Sequence, residues 1–235
     1  MKVCVLNFSG NVGKTTVAAH LLQPRMAGAQ LFSVETLNQD AEGDGVDVER
    51  LKGARFGELQ KKLQKLDSAV VDVGSSNVET FLALMGQYEG SQADFDYFVV
   101  PTVSDKKQTA DTINTILALH SLGVEPERIK VVFNKVDPTD DVTEAFRALF
   151  GLKARGLVDL NEKAALQDNE VFELIKDANL SLASVIADKS DFRQAVRDAK
   201  TPDEQDEAIN LLAIKRLSTT CARNLDTTYE ALFAK

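Results

Sequence analysis

The fold is decided by the stretch at residues 2–22, KVCVLNFSGNVGKTTVAAHLL. Its apolar run at residues 3–6 predicts a buried strand, and residues 14–23 predict a helix. Between the two, glycines stand where the backbone must wrap closely around a ligand. A helix N-terminus offers unpaired N–H groups and the positive end of a dipole to an anion. The stretch therefore predicts a phosphate-binding loop.

Each position of this loop has an expected role. Asn11 is suited to the left-handed backbone conformation that a glycine would otherwise supply. Lys14 is expected to reach the β- and γ-phosphates of a nucleotide, and the Thr15 hydroxyl to ligate Mg²⁺. The alternative is a tight turn with a surface lysine, but GKTT opens the helix where the phosphate chemistry requires it. The predicted nucleotide-binding residues of the loop are Ser9, Gly10, Asn11, Val12, Gly13, Lys14, Thr15 and Thr16.

A carboxylate ends the apolar run SAVVDV at residues 68–73. A buried carboxylate is costly unless it is paired or lies near a metal ion, although a lone acid at a strand end is also a common turn residue. Because it follows the phosphate loop, we predict that Asp72 is catalytic and holds Mg²⁺ together with Thr15. Gly74 then lets the chain pass close to the γ-phosphate.

The third motif is FNKVDP at residues 133–138. The pattern N-K-x-D contacts guanine in many GTPases, and it also fits an ordinary exit from a strand into a turn. Asn134, Lys135 and Asp137 are therefore candidate nucleotide-binding residues. The motif alone leaves both interpretations open.

Strand and helix patterns alternate along the chain, which predicts an α/β protein with a single doubly wound, mostly parallel sheet flanked by helices. We expect residues 1–235 to form one P-loop NTPase domain, mainly helical over about 161–235. Pro24 should end the first helix, and the acidic, glycine-containing residues 38–54 should form an exposed, mobile loop. The predicted strands are 3–6, 30–34, 68–73, 96–101 and 129–134, and the predicted helices are 14–23, 55–66, 77–88, 107–123 and 213–233.

Composition narrows the class of protein. The net charge of −9 argues against a surface that binds nucleic acid throughout. Two cysteines, Cys4 and Cys221, are too few for a disulfide framework, and Cys4 is expected to be a buried small hydrophobe. No apolar run is long enough for a membrane span and no signal-peptide pattern opens the chain, so we expect a cytoplasmic protein without an integral membrane segment.

With these motifs in order, residues 1 to about 140 resemble the ParA/MinD family of deviant Walker A ATPases. The family pattern K-G-G-x-G-K-[ST]-[ST] has no glycine at the position of Phe8, and this chain has none there. The Pro-ended fourth strand with its following helix, PTVSDKKQTADTINTIL, is also similar. Within the family, NFSGNVGKTT most resembles the StbB-type stability proteins of conjugative plasmids.

The chain departs from the family pattern at two places. The signature lysine, which in the family crosses a dimer to the partner's nucleotide, is replaced by Ser9. The second strand of the family ends in D-x-D, whereas here Glu35 matches the first acid and Leu37 the second. The acid that activates water is thus unassigned, and Asp40 is a nearby catalytic candidate.

The resemblance implies a slow ATPase that uses ATP and Mg²⁺ to switch between monomer and homodimer. Such a switch positions plasmids or other cargo through an adaptor or a DNA-binding partner protein. A module that binds nucleotide without hydrolysis, a GTP-specific relative, and a small-molecule kinase or ligase on the same fold are the alternatives. Direct DNA binding would use late basic residues such as Arg193 and Arg197, but the interleaved Asp191 and Asp198 favour a solvated helix face.

Overall fold

The structure is a computed structural model that describes residues 1–35, 48–51 and 56–233. These residues form two compact units. The first comprises residues 1–35, 48–51, 56–168 and 227–233, and the second comprises residues 169–226. The sheet and the predicted phosphate loop both belong to the first unit.

A seven-stranded sheet organises the first unit, and all its described strand pairs are parallel. The strands are β1 (Lys2–Val5), β2 (Gln30–Val34), β3 (Val48–Leu51), β4 (Ala69–Val73), β5 (Tyr97–Thr102), β6 (Ile129–Val136) and β7 (Ala165–Gln167). Their order is β3-β2-β4-β1-β5-β6-β7, so β1 lies between β4 and β5. The chain thus passes to both sides of β1, which is where open α/β sheets form a crevice at the carboxyl ends of their strands.

The strand register brings the predicted acid to this carboxyl edge. Asp72 of β4 pairs with Val5 on one side and with Ser33 of β2 on the other. Val5 is the last residue of β1, so Asp72 stands level with the point where the phosphate loop begins.

Helices flank the sheet and connect its strands. They are α1 (Lys14–Thr16), α2 (Phe56–Leu63), α3 (Ser75–Gln87), α4 (Lys106–Ser121), α5 (Val142–Ala145), α6 (Arg147–Ala154), α7 (Val171–Asp177), α8 (Leu182–Ala187), α9 (Phe192–Asp198) and α10 (Pro202–Phe233). After α1 the chain continues as a π-helix over Val17–Leu22 and a 3-10 helix over Gln23–Arg25. Pro24 therefore lies in the final turn, as expected.

The predicted α/β fold is confirmed, and the five predicted strands correspond to β1, β2, β4, β5 and β6. The prediction of a loop over residues 38–54 is wrong at Val48–Leu51, which form β3 beside β2, and its other residues lie outside the described ones. The sequence of β3, VERL, places two charged residues between its apolar ends, so it lacks the continuous apolar run of a buried strand. β3 is an edge strand of the described sheet, where charged residues are common.

The strand β7 was also not predicted. It has only three residues, ALQ, and lies within the segment expected to be mainly helical. Its pairing with β6 is interrupted between Phe133 and Val136. So short a segment carries no period-2 signal that could be separated from a helical pattern.

The core of the first unit lies around the central strands. All five residues of β4 are buried, and Cys4 of β1 is fully buried, as expected for a small hydrophobe. Burial raises the pKa of the Cys4 thiol well above its ordinary value, and the charge of Asp72 adds to this. Phe133 of β6 packs against Phe146 and Phe150, with ring centroids 4.7 and 5.6 Å away. These contacts anchor β6 just before its NKVD motif.

In the second unit, one basic residue has a structural role. Lys215 of α10 donates from Nζ to the carbonyl oxygens of Val185, Ile186 and Asp188, at 2.7, 2.9 and 2.7 Å. A lysine at these carbonyls satisfies the unpaired C-terminal end of α8. Arg197 of α9 is exposed and donates from Nε to the Gln194 side chain.

Among the described residues, no helix has both the length and the hydrophobicity that a membrane span requires.

Candidate functional site

The loop that follows β1 has the backbone conformation expected of a phosphate loop. Gly13 has φ 85° and ψ 31°, and Asn11 has φ 58°, so both are left-handed. α1 begins at Lys14, directly after Gly13, and Val17 N–H donates to the Gly13 carbonyl. The amides at the start of this helix therefore face the loop's concave side, as the sequence predicts.

Asn134, a residue of β6, is hydrogen-bonded to the phosphate loop. Its Nδ2 donates to the Val12 carbonyl oxygen at 2.9 Å, and the side chain is buried. A Cβ at position 13 would lie only 2.1 Å from Asn134 Nδ2. Gly13 is thus required twice, by its positive φ and by the close approach of this amide.

Lys14 is buried at the start of α1. Its ammonium group donates to the carbonyl oxygens of Asn7 at 3.3 Å and Ser9 at 2.6 Å. Burial lowers the pKa of Lys14, and the negative charge of Asp72 counteracts the shift. The loop therefore holds a desolvated cation, a group that binds anions strongly.

Asp72 is the acidic counterpart of Lys14 in this site. The Thr15 hydroxyl donates to Asp72 Oδ2 at 2.7 Å. Burial raises the pKa of Asp72 to about 6, whereas the Thr15 hydrogen bond and the Lys14 charge oppose the rise. The charge of Glu35 also acts to raise the pKa of Asp72, and about 6 is the net value of these effects.

One carboxylate oxygen of Asp72 is available to coordinate a metal ion. Among the described residues, the buried Oδ1 of Asp72 has no hydrogen-bond partner. Mg²⁺ favours carboxylate and hydroxyl oxygens and usually takes only one or two protein carboxylates. Thr15 and Asp72 fit this donor set, because they already contact each other and one carboxylate oxygen is left over.

A cleft of about 530 Å³ opens beside these groups, at the carboxyl edge of β1, β2 and β4. It is lined by Gly10, Asn11, Gly13, Lys14, Thr15, Thr16, Glu35, Gly74, Ser75 and Ser76. Ser9 and Val12 are buried behind the lining. Gly74 approaches the end of β2 closely, since its N–H donates to Val34 O at 3.0 Å.

The other predicted residues are dispersed. Lys135 and Asp137 are exposed and do not line the described cleft. Asp137 accepts hydrogen bonds from the N–H and the hydroxyl of Thr139, which lower its pKa. This is the geometry of a turn residue before a proline. Asp40 and Leu37 lie outside the described residues.

Sequence reasoning missed three polar residues of the site. Ser75 and Ser76 open α3 and line the cleft, and the only signal for them was their position two and three residues after Val73, just beyond a strand end. Asn7 is fully buried beneath the loop. A buried asparagine one residue after an apolar run of four gave a weak signal, because asparagine usually marks a turn there.

Comparison with known proteins gives a fold but no close relative. No protein-family model and no curated protein matches the chain. A candidate plasmid partition protein from Borrelia burgdorferi bound to AMPPNP is 16% identical, with a TM-score of 0.50 over 91% of this chain and 97% of the other. The cell-division ATPase MinD from Pyrococcus furiosus is also 16% identical, with a TM-score of 0.50 over 92% and 98%. A chain of the MinC:MinD cell-division protein complex from Aquifex aeolicus is 13% identical, with a TM-score of 0.50 over 93% of this chain and 96% of the other.

The chain therefore has the fold of the P-loop ATPases. More particularly, it is the fold of the ParA/MinD type, which confirms the sequence resemblance at the level of the fold. The narrower similarity to StbB-type stability proteins stays a prediction.

We expect Gly13→Ala to destabilise the protein by at least about 2 kcal/mol, because the left-handed conformation costs a non-glycine residue roughly 1–2 kcal/mol and the new methyl meets Asn134. Denaturant unfolding measures the change. Gly10→Ala is the matched control, since a Cβ there would lie 3.6 Å from Ser75 Oγ, an ordinary contact. Equal stability of the two variants would contradict the clamped geometry.

The raised pKa of Asp72 predicts a pH dependence of stability in nucleotide-free protein kept in EDTA. The folded pKa of about 6 lies above the ordinary value of 3.8, so ionisation is disfavoured in the folded state. As pH rises from about 4 to above 6, wild type should lose roughly 3 kcal/mol relative to Asp72→Asn, which cannot ionise at this position.

Unfolding free energies between pH 4 and 8 measure this difference. Asp140→Asn, a change of an exposed aspartate, serves as the control. A constant offset between wild type and Asp72→Asn at every pH would show that this carboxyl ionises normally.

Proposed function

We propose that this chain binds ATP and Mg²⁺ in the cleft and works as a ParA/MinD-type switch. The observation that carries the proposal is that Lys14, Thr15 and Asp72 lie together at the predicted phosphate loop. A buried cation and a buried, half-satisfied carboxylate lie at the same edge of the sheet. In a metal–triphosphate complex, the phosphates would pair with the positive charge of Lys14, and the metal ion would pair with the carboxylate of Asp72.

The residues of the chain have distinct tasks in this proposal. Lys14 would transfer its hydrogen bonds from the Asn7 and Ser9 carbonyls to phosphate oxygens. Thr15 and Asp72 would hold Mg²⁺, which neutralises charge on the β- and γ-phosphates when bound. The N–H groups of the loop and of the first turn of α1 would cradle the phosphates.

Hydrolysis is proposed to be slow. Phosphoryl transfer depends on positioning and on neutralising charge, and Ser9 cannot supply the charge of the family's signature lysine. We expect unassisted turnover well below the enzyme median of ~10 s⁻¹. Arg25, Lys106 and Lys107 are the cations to test if turnover is fast, and Asp40 is the candidate for activating water.

The biological role is proposed from the fold. The similar structures include a candidate plasmid partition protein and cell-division ATPases. We propose that nucleotide closes a homodimer of this chain, that the dimer recruits an adaptor or a DNA-binding partner protein, and that the complex serves plasmid partition, plasmid stability or the positioning of other cargo. The MinC:MinD complex supports a protein partner for such a fold.

The proposal is tested first at the phosphate loop. Lys14→Ala should weaken Mg²⁺–ATP binding at least about tenfold in calorimetry, because charge-assisted contacts to phosphate are strong. Thr15→Ala should remove most of the gain in affinity that Mg²⁺ gives. Lys130→Met is the matched control: Lys130 is also a buried lysine, but it is the second residue of β6 and pairs with Asp159 at 2.7 Å.

Unchanged affinity in Lys14→Ala would remove the nucleotide site from this cleft. The switch is a separate test: light scattering should give a dimer with Mg²⁺ and a non-hydrolysable ATP analogue and a monomer with ADP. One oligomeric state with both ligands would leave a nucleotide-binding module without a switch.

The choice of base is a further prediction. We propose ATP over GTP, and this is supported by the turn geometry of Asp137, which is exposed and bonded to Thr139. In this proposal Asn134 contacts the base with the part of its amide that is not bonded to the Val12 carbonyl. ATP should therefore displace a labelled nucleotide better than GTP, and Asp137→Ala should leave their ratio unchanged. A GTP preference of about tenfold or more, lost in Asp137→Ala, would instead assign the guanine-binding role to this aspartate.

A further inference from the structure

The helix α4 is hydrogen-bonded to the residues that lead from β1 into the phosphate loop. Asn7, the second residue after β1, is fully buried and uses both ends of its side chain. Nδ2 donates to the Pro101 carbonyl and to the Thr112 hydroxyl, each at 2.8 Å, and Oδ1 accepts from Ser9 N–H at 2.8 Å. One side chain thus connects β5, α4 and the first turn of the loop.

A second threonine of α4 holds the next residue. Phe8 N–H donates to Thr115 Oγ1 at 3.2 Å, and the Thr115 hydroxyl donates to the Asp111 carbonyl at 2.7 Å. Thr112 and Thr115 are three residues apart, so they lie on the same face of the helix, and both are fully buried. Each hydroxyl donates to the carbonyl four residues earlier on the helix, of Gln108 or Asp111, so its oxygen accepts from the Asn7 amide or from the Phe8 N–H.

The same loop residues fix the position of the Lys14 ammonium group. Its two acceptors are the carbonyls of Asn7 and Ser9. The Asn7 carbonyl belongs to the same peptide group as the Phe8 N–H that Thr115 holds. The Asn7 side chain sets the Ser9 amide, and Thr112 sets the Asn7 side chain. A continuous path of hydrogen bonds therefore runs from α4 to the cation of the phosphate site.

We infer that Thr112 and Thr115 are positioning residues for the phosphate loop, acting through Asn7 and Phe8 on Lys14. The consequence for nucleotide binding rests on the function proposed above, whereas the consequence for the loop does not. Among the described residues, neither threonine lines the cleft, so any effect on the site passes through the Asn7 side chain and the Phe8 N–H.

Isosteric variants separate this role from packing. Thr112→Val and Thr115→Val keep the shape of the side chain and remove the hydroxyl, and each should weaken Mg²⁺–ATP binding about tenfold, because the lost bonds hold the loop in its binding conformation. Thr112→Ser restores the hydroxyl and should restore wild-type affinity. Thr109→Val is the matched control, because Thr109 lies on the same helix and its hydroxyl donates to the Val103 carbonyl, which precedes the helix, and not to the loop.

A second measurement needs no nucleotide. Hydrogen exchange of individual amides, followed by NMR in the nucleotide-free protein, reports on the Phe8 and Ser9 N–H groups directly. Thr115→Val should speed exchange at Phe8 and Thr112→Val at Ser9, each about tenfold, while Thr109→Val leaves both unchanged.

The outcomes distinguish the two proposals. Failure of wild type to bind ATP would overturn the proposed function, and the exchange rates would still decide the role of the threonines. Wild-type exchange at Phe8 and Ser9 in both valine variants would overturn the positioning role. Faster exchange with wild-type affinity for ATP would also overturn it, because the hydroxyls would then hold the loop without affecting its site.

Discussion

Two opposite charges, Lys14 and Asp72, are buried at one edge of the sheet. The other residues of the site reduce the free-energy cost of removing these charges from water. A buried ion must be hydrogen-bonded or paired, since desolvation alone would otherwise neutralise it. Lys14 meets this demand with two carbonyl oxygens of its own loop, and Asp72 meets it in part with the Thr15 hydroxyl. The burial of both groups shifts their pKa values in opposite directions, toward the neutral forms. Because neither charge is fully compensated, the site favours a ligand that carries both a cation and an anion.

The loop that carries Lys14 is held from three directions, and each contact depends on the strand order. β4 lies beside β1, so Asp72 meets Thr15 at the helix start. β5 lies on the other side, and its neighbour β6 brings Asn134 to the Val12 carbonyl. The helix that follows β5 supplies Thr112 and Thr115 beneath the first turn. The conformation of a single glycine-containing loop is thus fixed by residues more than 50 positions away in the sequence.

The sequence predicts those parts of the molecule that carry a local signal. The five long apolar strands and the GKTT helix start follow from period and turn chemistry. Asp72 was predicted because a carboxylate that ends a buried strand needs a partner, and the Thr15 hydroxyl is such a partner. By contrast, β3 and β7 are too short or too charged for their patterns to be distinguished from loop and helix.

The residues that sequence reasoning missed act through tertiary contacts. Thr112 and Thr115 are ordinary helix residues by pattern, and only the packing of α4 against the loop gives their hydroxyls a role. The NKVD motif predicts a group of nucleotide contacts, but in the structure only Asn134 reaches the loop. Lys135 is left-handed with φ 54°, and Asp137 lies beyond the strand end in a turn. One residue of this four-residue motif therefore lies at the site while two others lie on the surface, and the sequence of the motif alone does not indicate which.

Ser9 shows why the loop tolerates a departure from the family pattern. The described hydrogen bonds of this residue to the site are made by its main chain: its N–H donates to Asn7 Oδ1 and its carbonyl accepts from Lys14. Any residue with an ordinary backbone can make these two bonds, so the serine costs nothing in loop shape. What it changes is charge, because a small, buried hydroxyl replaces the long cation expected from the resemblance. Loop geometry and the charge at this position are therefore independent properties, and a protein with this fold can keep the first while it loses the second.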